Sequence, residues 1–203
     1  ARVFIPGHGA CYECTMTETD WMLINKRKSC ALLTHEQMNE GKIPTTPTSS
    51  SVIAGIPSFQ DAFTSSPYSK QKIESLVSTL KSEGYDTSFF HGAPNGSMGF
   101  LGFGNILGFN HYYGKKEYNN DADFDGVWGI WDEPFFKYFN KELKMKNQPF
   151  MATLFSLSSH EPYIVPKQYE NKFPKGHVNM HQPIGYTDYA LKQFFNEAKK
   201  QPW

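Results

Sequence analysis

Residues 149–158 (PFMATLFSLS) form a near-continuous apolar run without a charge, followed by Ser159-His160-Glu161-Pro162. Such a run predicts a central strand buried on both faces, and Pro162 stops it. Upstream, Ile73, Leu76, Val77 and Leu80 recur at helical spacing. They predict an amphipathic helix over residues 69–84, with Gly84 as its C-terminal stop. Residues 85–90 (YDTSFF) then read as a strand that ends at His91-Gly92. Residues 97–109 (SMGFLGFGNILGF) read as a tightly packed helix or turn, and residues 111–125 as a surface loop. Helices follow over residues 134–146 and 182–199, the second offering Ile184, Tyr189, Leu191, Phe194 and Phe195 to the core. Strands alternating with helices indicate an α/β domain. Ligands of open α/β sheets bind at the carboxyl ends of the strands. His91, Asn95 in the loop APNGS, and His160 therefore become candidate site residues.

A second pattern lies in residues 41–59 (GKIPTTPTSSSVIAGIPSF). Pro44 and Pro47 keep its first part out of a helix, while Pro47 suits a first helical turn. The spacing predicts a helix that starts near Pro47, buries Val52, Ile53 and Ile56, and ends before Pro57. Thr45 and Thr46 then sit at its positive end, where free N–H groups favour an anion or oxyanion. Composition alone would make this Thr/Ser/Pro run a linker. Residues 1–40 are poorly assignable, with a short strand at 21–24 and a short helix at 29–39 as the readings their spacing allows.

Composition narrows the function classes. The chain has 203 residues, with 20 basic and 20 acidic side chains. It can bury a substantial core, and its zero net charge argues against nucleic acid as the main partner. No run approaches the ~18–20 apolar residues needed to cross a bilayer, and the start lacks the pattern of a signal peptide. Abundant aromatics suit an extracytoplasmic enzyme that handles carbohydrate or lipid. The three cysteines, Cys11, Cys14 and Cys30, cannot all pair within the chain. His8 with Cys11 and Cys14 could form part of a zinc or redox site, against the simpler reading of incidental thiols. Gly99, Gly102 and Gly104 lack the spacing and the following Lys-Ser or Lys-Thr pair of a phosphate-binding loop. Asp121, Asp123 and Asp125 suggest a calcium loop, but Asp132 stands where the EF-hand template wants Glu.

The stretch TTPTSSSVIAGIP, from Thr45 onward, resembles the sulfatase signature, in which a nucleophile, one residue, Pro, a small residue and Arg open a helix. Aligned on Pro47, the nucleophile position is Thr45. Ser49 stands where sulfatases carry Arg, so a formylglycine sulfatase of the usual kind is not expected. A Thr nucleophile is the pattern of the lipoteichoic acid synthase-like phosphoglycerol transferases of the alkaline phosphatase superfamily. GYDTSFFHG resembles the family strand that carries substrate contacts, Trp128-Gly129-Ile130-Trp131-Asp132 its W-G-x-x-D segment, and His160-Glu161-Pro162 its H-x-P element. For Trp128 and Trp131 the residue type by itself favours core packing.

The resemblance implies a three-layer α/β/α sandwich with a central, mostly parallel sheet, alkaline phosphatase-like and incomplete at one or both ends. Residues 41–203 would form a partial catalytic domain, since the family's acidic first strand and its last Asp-His strand are not recognised here. It implies an enzyme, a metal-dependent phosphoglycerol transferase. Thr45 would be nucleophile and metal contact, and His91, Asn95 and His160 would bind the substrate. The metal would be Mn2+ or Mg2+, with Ca2+ or Zn2+ in other branches. The partner would be a phospholipid head group or an anionic glycan, in an extracytoplasmic setting with membrane anchoring through parts absent from the chain. Alternatives are a sulfatase or phosphodiesterase hydrolase of the superfamily, and a non-catalytic fragment that binds anionic glycans.

Overall fold

The computed structural model describes residues 53–55, 71 and 73–203. Thr45, the three cysteines and the predicted elements of residues 1–40 lie outside the described residues. Ile53 and Ala54 are helical, and Gly55 takes a left-handed φ of +66°. A left-handed glycine commonly ends a helix, so these residues agree with a helix that stops before Pro57.

The remaining described residues fall within one compact unit, Pro67–Trp203. Its first helix, α1, spans Leu76–Ser82. It is shorter than the periodicity suggested because Ser75 caps it. The Ser75 hydroxyl accepts from the Ser78 N–H at 3.2 Å, and Ser78 Oγ accepts from the Ser75 N–H at 2.8 Å. This reciprocal pair satisfies donors that a helix start leaves open. Val77 is fully buried, whereas Leu76, expected on the apolar side, is half exposed.

Strand β1 (Asp86–His91) follows, then a 3-10 turn at Ser97–Gly99 and helix α2 (Phe100–Leu107). The expected surface loop at 111–125 instead holds strand β2 (His111–Tyr113), the short helix α3 (Lys115–Tyr118) and a 3-10 turn at Asp121–Asp123. Helix α4 spans Asp132–Lys144, β3 spans Phe150–Phe155 and α5 spans His181–Ala198. The three strands run parallel in the order β2-β1-β3, with Ser88 opposite His111 and Ala152. Among the described residues β1, not β3, is therefore the middle strand. Its residues from Thr87 onward are buried, whereas β3 is only half-buried along its length.

The two-residue period of a strand sorts side chains to opposite faces. On one face Phe89 packs against Phe100, Phe109 and Tyr112, with ring centroids 5.6–5.7 Å apart. On the other, Phe90, Ala152 and Leu154 join a cluster with Phe135, Phe136, Phe139 and Leu143 of α4 and Ala190 of α5. Each buried phenylalanine contributes roughly 1.5–3 kcal/mol in removing apolar surface from water. On α5, Tyr186 and Ala190 fill the core, whereas Ile184 and Phe195 point outward. Helices thus cover both faces of a parallel sheet, the α/β/α arrangement.

The path of the chain fixes where a ligand can sit. From β1 it passes to α2 on one face, and from β3 it passes to α5 on the other. Two neighbouring parallel strands whose exits diverge leave a crevice between their carboxyl ends.

Candidate functional site at the carboxyl ends of β1 and β3

His91 is the last residue of β1 and is only 3% exposed. Its ring packs edge-on against Phe100 at 4.8 Å and Phe155 at 5.1 Å. Nδ1 lies 3.2 Å from the carbonyl oxygen of Phe155. A carbonyl only accepts, so Nδ1 carries the hydrogen and the neutral ring keeps a lone pair on Nε2. Burial lowers the His91 pKa to about 4, and the charge of His160 pushes in the same direction. The two imidazoles are therefore electrostatic neighbours across the crevice.

His160 follows β3 at the same edge, in a tight turn. The Tyr163 N–H donates to the His160 carbonyl at 3.0 Å, around a cis Glu161–Pro162 bond, and Tyr163 has a φ of +59°. The residue is exposed. Partial sheltering of its ring lowers its pKa. The indole of Trp128 lies beside it, centroids 5.9 Å apart, and Trp128 Nε1–H donates to the Glu161 carbonyl. Trp128 is 40% exposed and is not the core anchor its residue type suggested. Trp131, half-buried, meets Tyr186 edge-on at 6.0 Å.

Asn95 lies in the β1 exit loop but faces α3. Its Nδ2 donates to both Glu117 oxygens at 3.1 and 2.8 Å, and Glu117 also accepts from the Gly114 N–H at 2.7 Å. It lines an open cavity of about 630 Å³ with Lys115, Lys116, Asn119 and Asp121. The structure thus places His91 and His160 at the carboxyl ends of neighbouring parallel strands and commits the Asn95 amide to Glu117.

Asp132 holds the β3 exit in place. It is 1% exposed, and burial raises its pKa. Oδ1 accepts from the Leu157 N–H and Oδ2 from the Thr187 hydroxyl, both at 2.8 Å, while its own N–H donates to Ser158 Oγ at 2.9 Å. One carboxylate therefore ties the start of α4 to the loop carrying His160 and to α5. The aspartates once weighed as a calcium loop have other partners. Asp123 accepts from Tyr118 and Asn120, Asp121 pairs with Lys115, and Asp125 Oδ1 accepts from three backbone N–H groups. Among the described residues no three His, Cys, Asp or Glu side chains converge as a metal site would require. The described residues thus do not provide the fit for the metal that the resemblance implies. Sequence reasoning paired neither Trp128 with His160 nor Asp132 with the β3 exit, because these partners are separated by 25 residues or more.

Comparison with known proteins agrees with this fold. The chain is 28% identical over 134 residues to lipoteichoic acid synthase 2 of Bacillus subtilis, covering 63% of this chain and 20% of that protein. It is also 28% identical over 137 residues to a lipoteichoic acid synthase of Staphylococcus saprophyticus, covering 63% and 21%. The chain thus spans about a fifth of the length of these curated relatives. A solved protein of the alkaline phosphatase superfamily from Vibrio parahaemolyticus superposes with a TM-score of 0.66 at 29% identity, over 75% of this chain and 38% of that one. The lipoteichoic acid synthase LtaP of Listeria monocytogenes shares the fold, with a TM-score of 0.68 at 23% identity over 77% and 40%. The family model described as Sulfatase matches residues 11–203. With nearly the whole length matched, and with a parallel sheet that gathers two histidines at its carboxyl edge, the chain belongs to the Sulfatase family.

Proposed function

We propose that this chain supplies the nucleophile and the phosphoryl-holding side of a phosphoglycerol transferase. Thr45 Oγ attacks the phosphorus of a phospholipid head group. The bond from phosphorus to the lipid oxygen breaks, and that oxygen leaves with a proton. The glycerol phosphate stays on Thr45 until an acceptor hydroxyl displaces it. His160, exposed at the crevice, contacts the phosphoryl oxygens where charge builds. His91, neutral at the end of β1, is the second proposed substrate contact. The likeness to lipoteichoic acid synthases supports the lipid donor, and with it an extracytoplasmic site next to a membrane; among the described residues no helix is long and apolar enough to span one. A divalent metal, Mn2+ or Mg2+, belongs to this reading through the family. Among the described residues no three candidate ligands converge, and no step runs through the metal.

The observation that supports the proposal is that His91 ends β1 and His160 follows β3, its parallel neighbour, at the carboxyl ends of the strands. Thr45→Ala tests it. Turnover of a phosphatidylglycerol donor is expected to vanish while binding of glycerol 3-phosphate survives. Wild-type chain that binds the phosphate but never turns over a donor would favour a glycan-binding module. Release of free glycerol phosphate to water, with no acceptor product, would favour a hydrolase.

A further inference from the structure

The segment from Asp125 to Ile130 crosses the crevice between the two histidine loops. Asp125 Oδ1 accepts from the N–H groups of Val127, Trp128 and Gly129 at 2.7–3.0 Å, which fixes the turn from inside. On one side Ile130 N–H donates to the Gly92 carbonyl at 2.9 Å. Gly129 there lies so close that a Cβ would meet the Gly92 carbonyl carbon at 2.7 Å and the Ala93 Cα at 2.8 Å. On the other side the Trp128 indole donates to Glu161 and lies beside His160.

We propose that Trp128 is a positioning residue for His160: its N–H pins the Glu161 carbonyl, its ring sets the plane of the imidazole, and the strut behind it references both to the His91 loop. The proposal rests on the reading of His160 as a phosphoryl contact.

NMR of the labelled chain, following the His160 ring signals while glycerol 3-phosphate is added, tests it. Trp128→Leu removes ring and N–H; Trp128→Phe keeps a ring and removes the N–H. In Trp128→Leu the His160 ring protons are expected to shift through loss of the indole ring current, and the Kd for glycerol 3-phosphate to rise about tenfold, the scale of contact couplings. Trp128→Phe should fall between, and it carries the test if the leucine variant does not fold. Adding Trp128→Leu to His160→Gln should weaken binding no further than His160→Gln alone. His160 signals unmoved in both tryptophan variants, or losses that simply add, would overturn the proposal. If His160→Gln leaves the Kd unchanged, the phosphoryl-contact reading fails, while the ring signals still decide whether Trp128 positions His160.

Discussion

A histidine that spends its Nδ1–H on a carbonyl and is walled in by two phenylalanines stays neutral in the folded state. For His91 this has a measurable cost. Its pKa is about 4 when folded and near ~6.5 when unfolded, so between these values the unfolded chain binds more protons. Stability therefore falls as pH falls through that window and is flat with respect to this group above it. The full loss is at most about 3 kcal/mol by 1.36 kcal/mol per unit. Urea midpoints of the wild type should drop between pH 6.5 and 4, and His91→Gln should remove much of that slope. Equal slopes in the two proteins would show that His91 is already protonated or is not buried. His160 shares the edge but is exposed.

At the level of elements, the Asp132 latch decides how firmly the His160 loop is held. Asp132→Ala leaves the Leu157 N–H and the Thr187 hydroxyl without partners, and should cost about 3 kcal/mol of unfolding free energy. Asp132→Asn keeps an acceptor for Leu157, and the Thr187 hydroxyl can turn to accept from the new amide. It should cost about 1 kcal/mol. A thermal or urea series reads both; equal losses would mean that the two hydrogen bonds are not what Asp132 supplies. Much of this layer was legible in the sequence. The strand before His91, helix α4, β3 and α5 all came from periodicity within a few residues of their bounds. Strand β2 did not, since three residues, His-Tyr-Tyr, at the edge of the described sheet show no alternation and carry no turn signal. The order of β1 and β3 was hidden as well. An uncharged run signals burial, but β3 is half-buried and β1 is the middle strand, because pairing between distant strands leaves no trace in either one. Trp128 was misread for a related reason: indoles are usually core, and only its partner across the crevice explains the exposure.

For the molecule as a whole, the candidate site divides into a part the fold assembles and a part that rests on likeness. The paired histidine loops are the first. Thr45 and the metal are the second. Among the described residues no three candidate ligands converge, so titration calorimetry of Mn2+ into the compact unit Pro67–Trp203 should show no stoichiometric binding at about micromolar concentration; a tight one-to-one isotherm there would contradict this. The central claim, that Thr45 carries the phosphoryl group during transfer, is tested most directly by peptide mass spectrometry. The chain is incubated with phosphatidylglycerol and excess manganese, quenched in acid and digested. A glycerol-phosphate adduct on the Thr45 peptide, absent in Thr45→Ala and diminished in His160→Gln, is the predicted result. Donor consumed with no adduct on that peptide, or an adduct on a different residue, would contradict it.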